Sequence, residues 1–128
     1  MILDASALIA IALDEPDREV LVAKINAADA IAVGAPTLVE AGIVLSARAG
    51  QDASAVLVEL LAVADAVITE FGQAHWRVAV SAWGRFGKGR HPAGLNFGDC
   101  LAYAAAHVAG EPLLAKGNYF TRTDIPLA

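Results

Sequence analysis

The chain opens Met1-Ile2-Leu3-Asp4-Ala5-Ser6-Ala7-Leu8-Ile9-Ala10, and this stretch decides the fold. Its first residues read as a short apolar strand from Met1 to Asp4, followed at once by a helix-forming run over about Ser6 to Leu13. An acid between two hydrophobic segments is costly unless it is paired, bound to a cation or used as a helix cap. Asp4 therefore marks both the end of a strand and a candidate for chemistry.

Working outward, short strand-like runs keep alternating with longer helical ones, the pattern of an α/β domain with a largely parallel sheet. A second helix is expected from Pro16 to about Ala28, then a strand at Ile31 to Val33. Pro36 opens a helix that runs through Arg48 and that Gly50 stops. Asp52 is placed to cap the next helix, to about Ala64, and the two make an antiparallel pair. A strand at Val67 to Thr69 precedes a helix from Gln73 to about Phe86. Residues 87 to 97, with three Gly and one Pro, read as a loop. A helix from Gly98 to Ala109 follows, then a strand at Pro112 to Ala115 and a weak last strand near Asp124 to Leu127. The expectation is one domain over residues 1 to 128, with no repeat or linker.

Composition narrows the class. With 57% hydrophobic and 18% charged residues, the chain has the material for a packed core and not for a disordered segment. Mean hydropathy is +0.55, yet charges interrupt every run well short of the roughly 18 apolar residues of a spanning helix. No Lys or Arg precedes the apolar run at 5 to 13, and Asp14-Glu15 ends it, which is not the layout of a secretory signal. A cytoplasmic location with no membrane partner is expected. The single Cys100 makes no internal disulfide. A net charge of −5 gives no overall attraction to nucleic acid, so any such binding needs a local basic patch. Arg85, Lys88, Arg90 and His91, within seven positions in the Gly-rich stretch Trp83 to Pro92, supply one candidate.

Of the fourteen acids, most sit where turns or helix ends explain them, including Asp14, Glu15, Asp17 and Asp65. Four do not. Asp4 closes a strand that should be central, and open α/β sheets place their sites beyond the carboxyl ends of strands. Glu40 shares helical spacing with Ile43, Val44 and Ala47, on what reads as an apolar stripe. Asp99 stands in the first turn of a late helix, beside Asn96. Asp124 follows the Thr121-Arg122-Thr123 segment. Carboxylates gathered at one end of a sheet repel one another unless a cation joins them. Hard oxygen donors, without a His or Cys cluster, suit Mg²⁺ or alternatively Mn²⁺.

These residues, in this order, resemble the PIN-domain ribonucleases: Asp4-Ala5-Ser6-Ala7-Leu8 at the first strand end, Glu40 in an early helix, and Asn96-Phe97-Gly98-Asp99 opening a late one. Lys88-Gly89-Arg90-His91 and the run from Leu113 to Ile125 are similar, more narrowly, to the VapC toxins of bacterial toxin–antitoxin pairs. The resemblance implies a three-layer α/β/α sandwich and a metal-dependent endoribonuclease cleaving tRNA or rRNA, neutralised by a cognate VapB-type antitoxin. It makes Asp4 and Asp99 the metal-binding aspartates and Glu40 their acidic helper, with Ser6 and Asn96 in support. Many relatives carry a further acid where this chain has Gly117-Asn118, and Asp124 is the candidate to replace it. Lys88, Arg90 and Lys116 are the candidate RNA contacts. The apolar helix pair at 36 to 64 offers a face for a homodimer.

Two other readings compete. A phosphoacceptor receiver domain has similar length and also holds Mg²⁺ with acids, but the third strand ends Ile68-Thr69-Glu70 with no Asp to accept phosphate. A catalytically inactive RNA-binding module of the same fold shares every structural expectation above.

Overall fold

The computed structural model describes all residues 1–128. Four short parallel strands form the sheet: β1 (Ile2–Leu3), β2 (Ala32–Gly34), β3 (Val67–Thr69) and β4 (Leu113–Leu114), in the order β3-β2-β1-β4. The helices are α1 (Ala5–Ala12), α2 (Arg18–Asn26), α3 (Ala35–Ala49), α4 (Ser54–Val63), α5 (Gln73–Phe86) and α6 (Phe97–Ala109), with a short 3-10 turn at Phe120–Arg122.

Strand alternation sorts the core into two layers. Leu3, Val33 and Leu114 face one side and pack with α1 to α4, through Leu8, Leu21, Leu45, Leu57 and Leu61. Ile2 and Leu113 face the other and pack with α5 and α6, through Ala82, Phe86, Ala102 and Tyr103. This is the expected α/β/α sandwich. Leu3, Leu8 and Val33 are completely buried, and each such side chain contributes roughly 1.5–3 kcal/mol. Close helix packing in the second layer follows from the run Ala104-Ala105-Ala106, all buried.

Helix boundaries follow the sequence signals with two instructive differences. Gly50 and Gly110 end α3 and α6 in the left-handed conformation, at φ 68° each, which glycine adopts without strain. Asp52, expected to cap α4, instead accepts from Ser54 N at 2.8 Å and Ser54 Oγ at 2.6 Å, one residue ahead of a helix whose cap position is Ala53. The weak last strand reduces to a single parallel bridge between Leu113 and Leu127. Pro126 has no N–H to donate, so the ladder stops at Leu113 N to Pro126 O, 2.9 Å, and Ala128 N to Leu113 O, 3.1 Å.

Candidate active site

The carboxyl ends of the central strands carry three acids to one place. Asp4 follows β1 directly and caps α1: Ser6 N donates to its Oδ2 at 3.0 Å and Ser6 Oγ donates to the same oxygen at 2.5 Å. Asp4 therefore caps the helix through Oδ2 alone, which leaves its second oxygen, Oδ1, free of these bonds. Lys116 N donates to Ser6 Oγ at 2.9 Å, which ties the segment after β4 to Asp4. Asp99 sits in the first turn of α6 within a reciprocal cap. Its backbone N donates to Asn96 Oδ1 at 2.9 Å, and Asn96 N donates to Asp99 Oδ2 at 2.8 Å.

Glu40 arrives from α3, which begins where β2 ends. The buried stripe of that helix is Thr37, Ala41 and Leu45, so the expected stripe of Glu40, Ile43, Val44 and Ala47 lies one residue around the helix. Ile43 is 65% exposed. Glu40 consequently occupies the edge facing α6, where its carboxylate lies against the α-carbon of Gly98; a β-carbon at that position would run into it. No protein group donates a full hydrogen bond to Glu40, and no Lys or Arg forms an ion pair with Asp4, Glu40 or Asp99.

Their electrostatics record this gathering. Burial pushes the Asp4 carboxyl above the usual carboxylate range, against the Ser6 hydrogen bonds that lower it. Glu40 is raised first by partial burial and then by the charges of Asp4 and Asp99. Asp99 is raised by burial and by Asp4, with the Asn96 backbone bond opposing. Three mutually repelling carboxylates with no counter-cation form a donor set that fits a divalent ion. The side chains do not close into a cage of three or more ligands by themselves, as suits Mg²⁺, which retains several waters and needs only one or two carboxylates.

The structure does not bring Asp124 into this cluster. Arg85 donates to its Oδ2 at 2.6 Å and the Tyr103 hydroxyl donates to its Oδ1 at 2.5 Å, and these partners hold its carboxyl below the usual range. Burial and Asp124 together push the Tyr103 phenol up to about 12. Asp124 thus fastens the C-terminal segment to α5 and α6. Asp124→Ala will strand a buried phenol and lower stability by about 1–2 kcal/mol in denaturant titration, the lower half of the range for an orphaned buried donor. Lys116 is also committed elsewhere. Its ammonium meets Glu15 Oε2 at 2.5 Å and Asp17 Oδ2 at 3.5 Å, while its backbone N–H is bonded to Ser6 Oγ. Lys88 and Arg90 are exposed and have no acid partner. Lys88 lines a polar cleft leading to Asp99, whereas Arg90 lies outside it.

The PIN domain family model matches residues 1–126. A Ribonuclease VapC from Mycolicibacterium smegmatis is 39% identical over 125 residues, covering 98% of this chain and 97% of the relative. Ribonuclease VapC28 from Mycobacterium tuberculosis is 43% identical over 129 aligned positions, covering 100% and 97%. Among solved structures, Mycobacterium tuberculosis VapC20, described as a Sarcin-Ricin loop cleaving toxin, superposes with a TM-score of 0.76 at 13% identity, covering 99% and 97%. A toxin-antitoxin complex from Klebsiella pneumoniae superposes with a TM-score of 0.71 at 16% identity, covering 99% and 95%. The structural likenesses speak to fold.

Proposed function

The chain belongs to the PIN-domain family, among its VapC ribonucleases, and from that premise we propose that it is a metal-dependent endoribonuclease toxin acting on tRNA or rRNA in the cytoplasm. The observation that carries this reading is the triad Asp4, Glu40 and Asp99: three acids from three different elements, raised by burial and mutual repulsion, with no cation of the protein among them.

Asp4 and Asp99 would hold Mg²⁺ or Mn²⁺, since each has one oxygen anchored by the backbone or Ser6 and one left free. A bound divalent ion polarises the scissile phosphate and lowers the pKa of the attacking water. Glu40, with neither oxygen engaged, is the group available to orient that water and accept its proton. Its raised pKa brings it closer to the range in which a carboxylate is an effective base. In-line attack by that water forms one phosphorus–oxygen bond and breaks one ester bond of the phosphodiester, the departing ribose oxygen taking its proton from solvent. Ser6 and Asn96 hold Asp4 and Asp99 in place during this step.

A VapB-type antitoxin is the partner of this reading. The groove beside Glu40 is lined by Val39, Ile43, Val44, Phe97 and Leu101, so a peptide with apolar side chains and one Arg would seat the apolar part there and pair the guanidinium with the acids. A homodimer would use the exposed apolar side chains of the α3 and α4 pair that lie outside that groove, Val58 and Val63, which are 66% and 85% exposed.

The test is cleavage of total RNA in Mg²⁺, in Mn²⁺ and in EDTA. Cleavage is expected with either metal and not in EDTA, and the melting temperature should rise with metal; at a hundredfold excess over Kd, binding adds about 2.7 kcal/mol. Cleavage that persists in EDTA overturns the mechanism.

A further inference from the structure

The cleft that leads to Asp99 has features that the acid cluster does not account for. One wall is Lys88, Pro92, Gly94 and Asn96, and the other is Gly117, Asn118, Tyr119 and Arg122. Phe120, 4% exposed, anchors the second wall in the core. Thr121 Oγ1 closes it by donating to Asn118 O at 2.7 Å. That anchoring leaves the preceding ring outside: Tyr119 is 60% exposed, its hydroxyl has no hydrogen-bond partner, and it stacks on no other aromatic ring.

Charge points the same way. The chain is acidic overall, and four of its nine Lys and Arg side chains are engaged with acids. Arg18, Arg48, Arg85 and Lys116 are all in ion pairs. Lys88 and Arg122, which face the cleft from opposite walls, are not. Arg122 makes only a long contact across it, NH1 to Pro92 O at 3.5 Å. Asn96 uses its Oδ1 on Asp99 N and keeps its amide N–H₂, and the Asn118 side chain is unengaged and exposed.

Resting on the nuclease reading above, we propose that this cleft is a nucleotide subsite in which Tyr119 stacks on an unpaired base next to the cleaved bond, with Lys88 and Arg122 on the flanking phosphates. Two cations offset the repulsion between an RNA backbone and three carboxylates, and a free aromatic face on a firmly anchored loop is what a splayed-out base requires. A paired base presents only its edge, so the subsite selects loops, bulges or single strands. The free amides of Asn96 and Asn118 are placed to meet the edge of the stacked base.

The test measures binding of a labelled single-stranded RNA of mixed sequence, and of the duplex made from it, by fluorescence anisotropy in the Asp4→Asn background. Tyr119→Ala is expected to weaken single-strand binding roughly tenfold to a hundredfold, to leave duplex binding unchanged, and to be rescued by Tyr119→Phe. Lys88→Gln and Arg122→Gln should each weaken both and reduce the salt slope by about 0.7 for the single strand. Tyr119→Ala binding the single strand as tightly as its parent, or losing both RNAs equally, overturns the subsite, as does absence of RNA binding in every variant. A Tyr119 effect on binding, together with no cleavage of RNA by the protein carrying Asp4 in Mg²⁺ or Mn²⁺, would support the subsite and overturn the nuclease reading, so the two fail separately.

Discussion

Asp4→Asn will abolish RNA cleavage, by roughly 10²-fold to 10³-fold or more, while making the metal-free protein more stable at neutral pH. The loss follows if Asp4 is one of the two carboxylates proposed to hold the metal, since electrostatic stabilisation by a bound cation is worth several kcal/mol in such a step. Folding survives because an Asn side-chain oxygen can still accept from Ser6 N and Ser6 Oγ, so the cap of α1 is retained. Ser6, and through it Lys116 N, then keeps its place.

The gain in stability has a definite sign. Asp4, Glu40 and Asp99 all have folded-state pKa values above the ordinary carboxylate value of about 4. A carboxyl raised on folding is harder to ionise in the native state than in the unfolded chain. Metal-free stability therefore declines as pH rises from the ordinary value through each raised one, and the deficit is complete above it. Asp4→Asn removes the largest burial cost and one source of repulsion on each of the other two. The metal-free variant should melt higher than wild type at pH 7, the two should converge below pH 4, and added Mg²⁺ should raise the melting temperature of wild type far more than that of the variant. Calorimetry across pH with and without Mg²⁺ checks all three. Equal cleavage by the variant would favour an adventitious nuclease and the catalytically inactive reading of the fold.

What the sequence disclosed depended on how locally each residue's role was decided. Asp4 and Asp99 stood out because a charge at the end of an apolar strand or the start of an apolar helix is visible within a few positions. Glu40 was visible as a misfit, although the buried stripe of its helix is Thr37, Ala41 and Leu45, one residue around from the expected one. Asp124 and Lys116 misled because their partners are remote: Arg85 lies 39 positions from Asp124 and Glu15 lies 101 from Lys116. Nothing in the local pattern announces such pairings, and an acid or a lysine with a committed partner looks, in sequence, like a free one. Tyr119 and Arg122 were overlooked for the opposite reason. No periodic apolar pattern orients their segment, and only the burial of Phe120 shows which way Tyr119 faces.

Gly98→Ala will cut cleavage by about tenfold to a hundredfold with little change in stability. Local propensity argues for the opposite outcome: Ala is better than Gly in a helix by about 0.5–1 kcal/mol, and Gly98 does not have the positive φ that would forbid a side chain. The obstacle is across the gap to α3, where the added methyl meets the Glu40 carboxylate. A carboxylate at the end of three rotatable bonds can swing aside cheaply, so the fold absorbs the change. The proposed site does not, because Glu40 then leaves the position beside Asp4 and Asp99 from which it is proposed to orient the attacking water, and a displacement of about 1 Å in such a group can cost on the order of 10²-fold. Glu40→Ala provides the comparison. If Gly98 acts only by leaving room for Glu40, the double variant will be no slower than Glu40→Ala alone, and kcat will carry the loss while KM for RNA stays near wild type. A Gly98→Ala protein that cleaves at the wild-type rate, or a double variant slower than Glu40→Ala by the full effect of Gly98→Ala, would separate the glycine from the acid and leave the close approach of α3 to α6 as a packing feature alone.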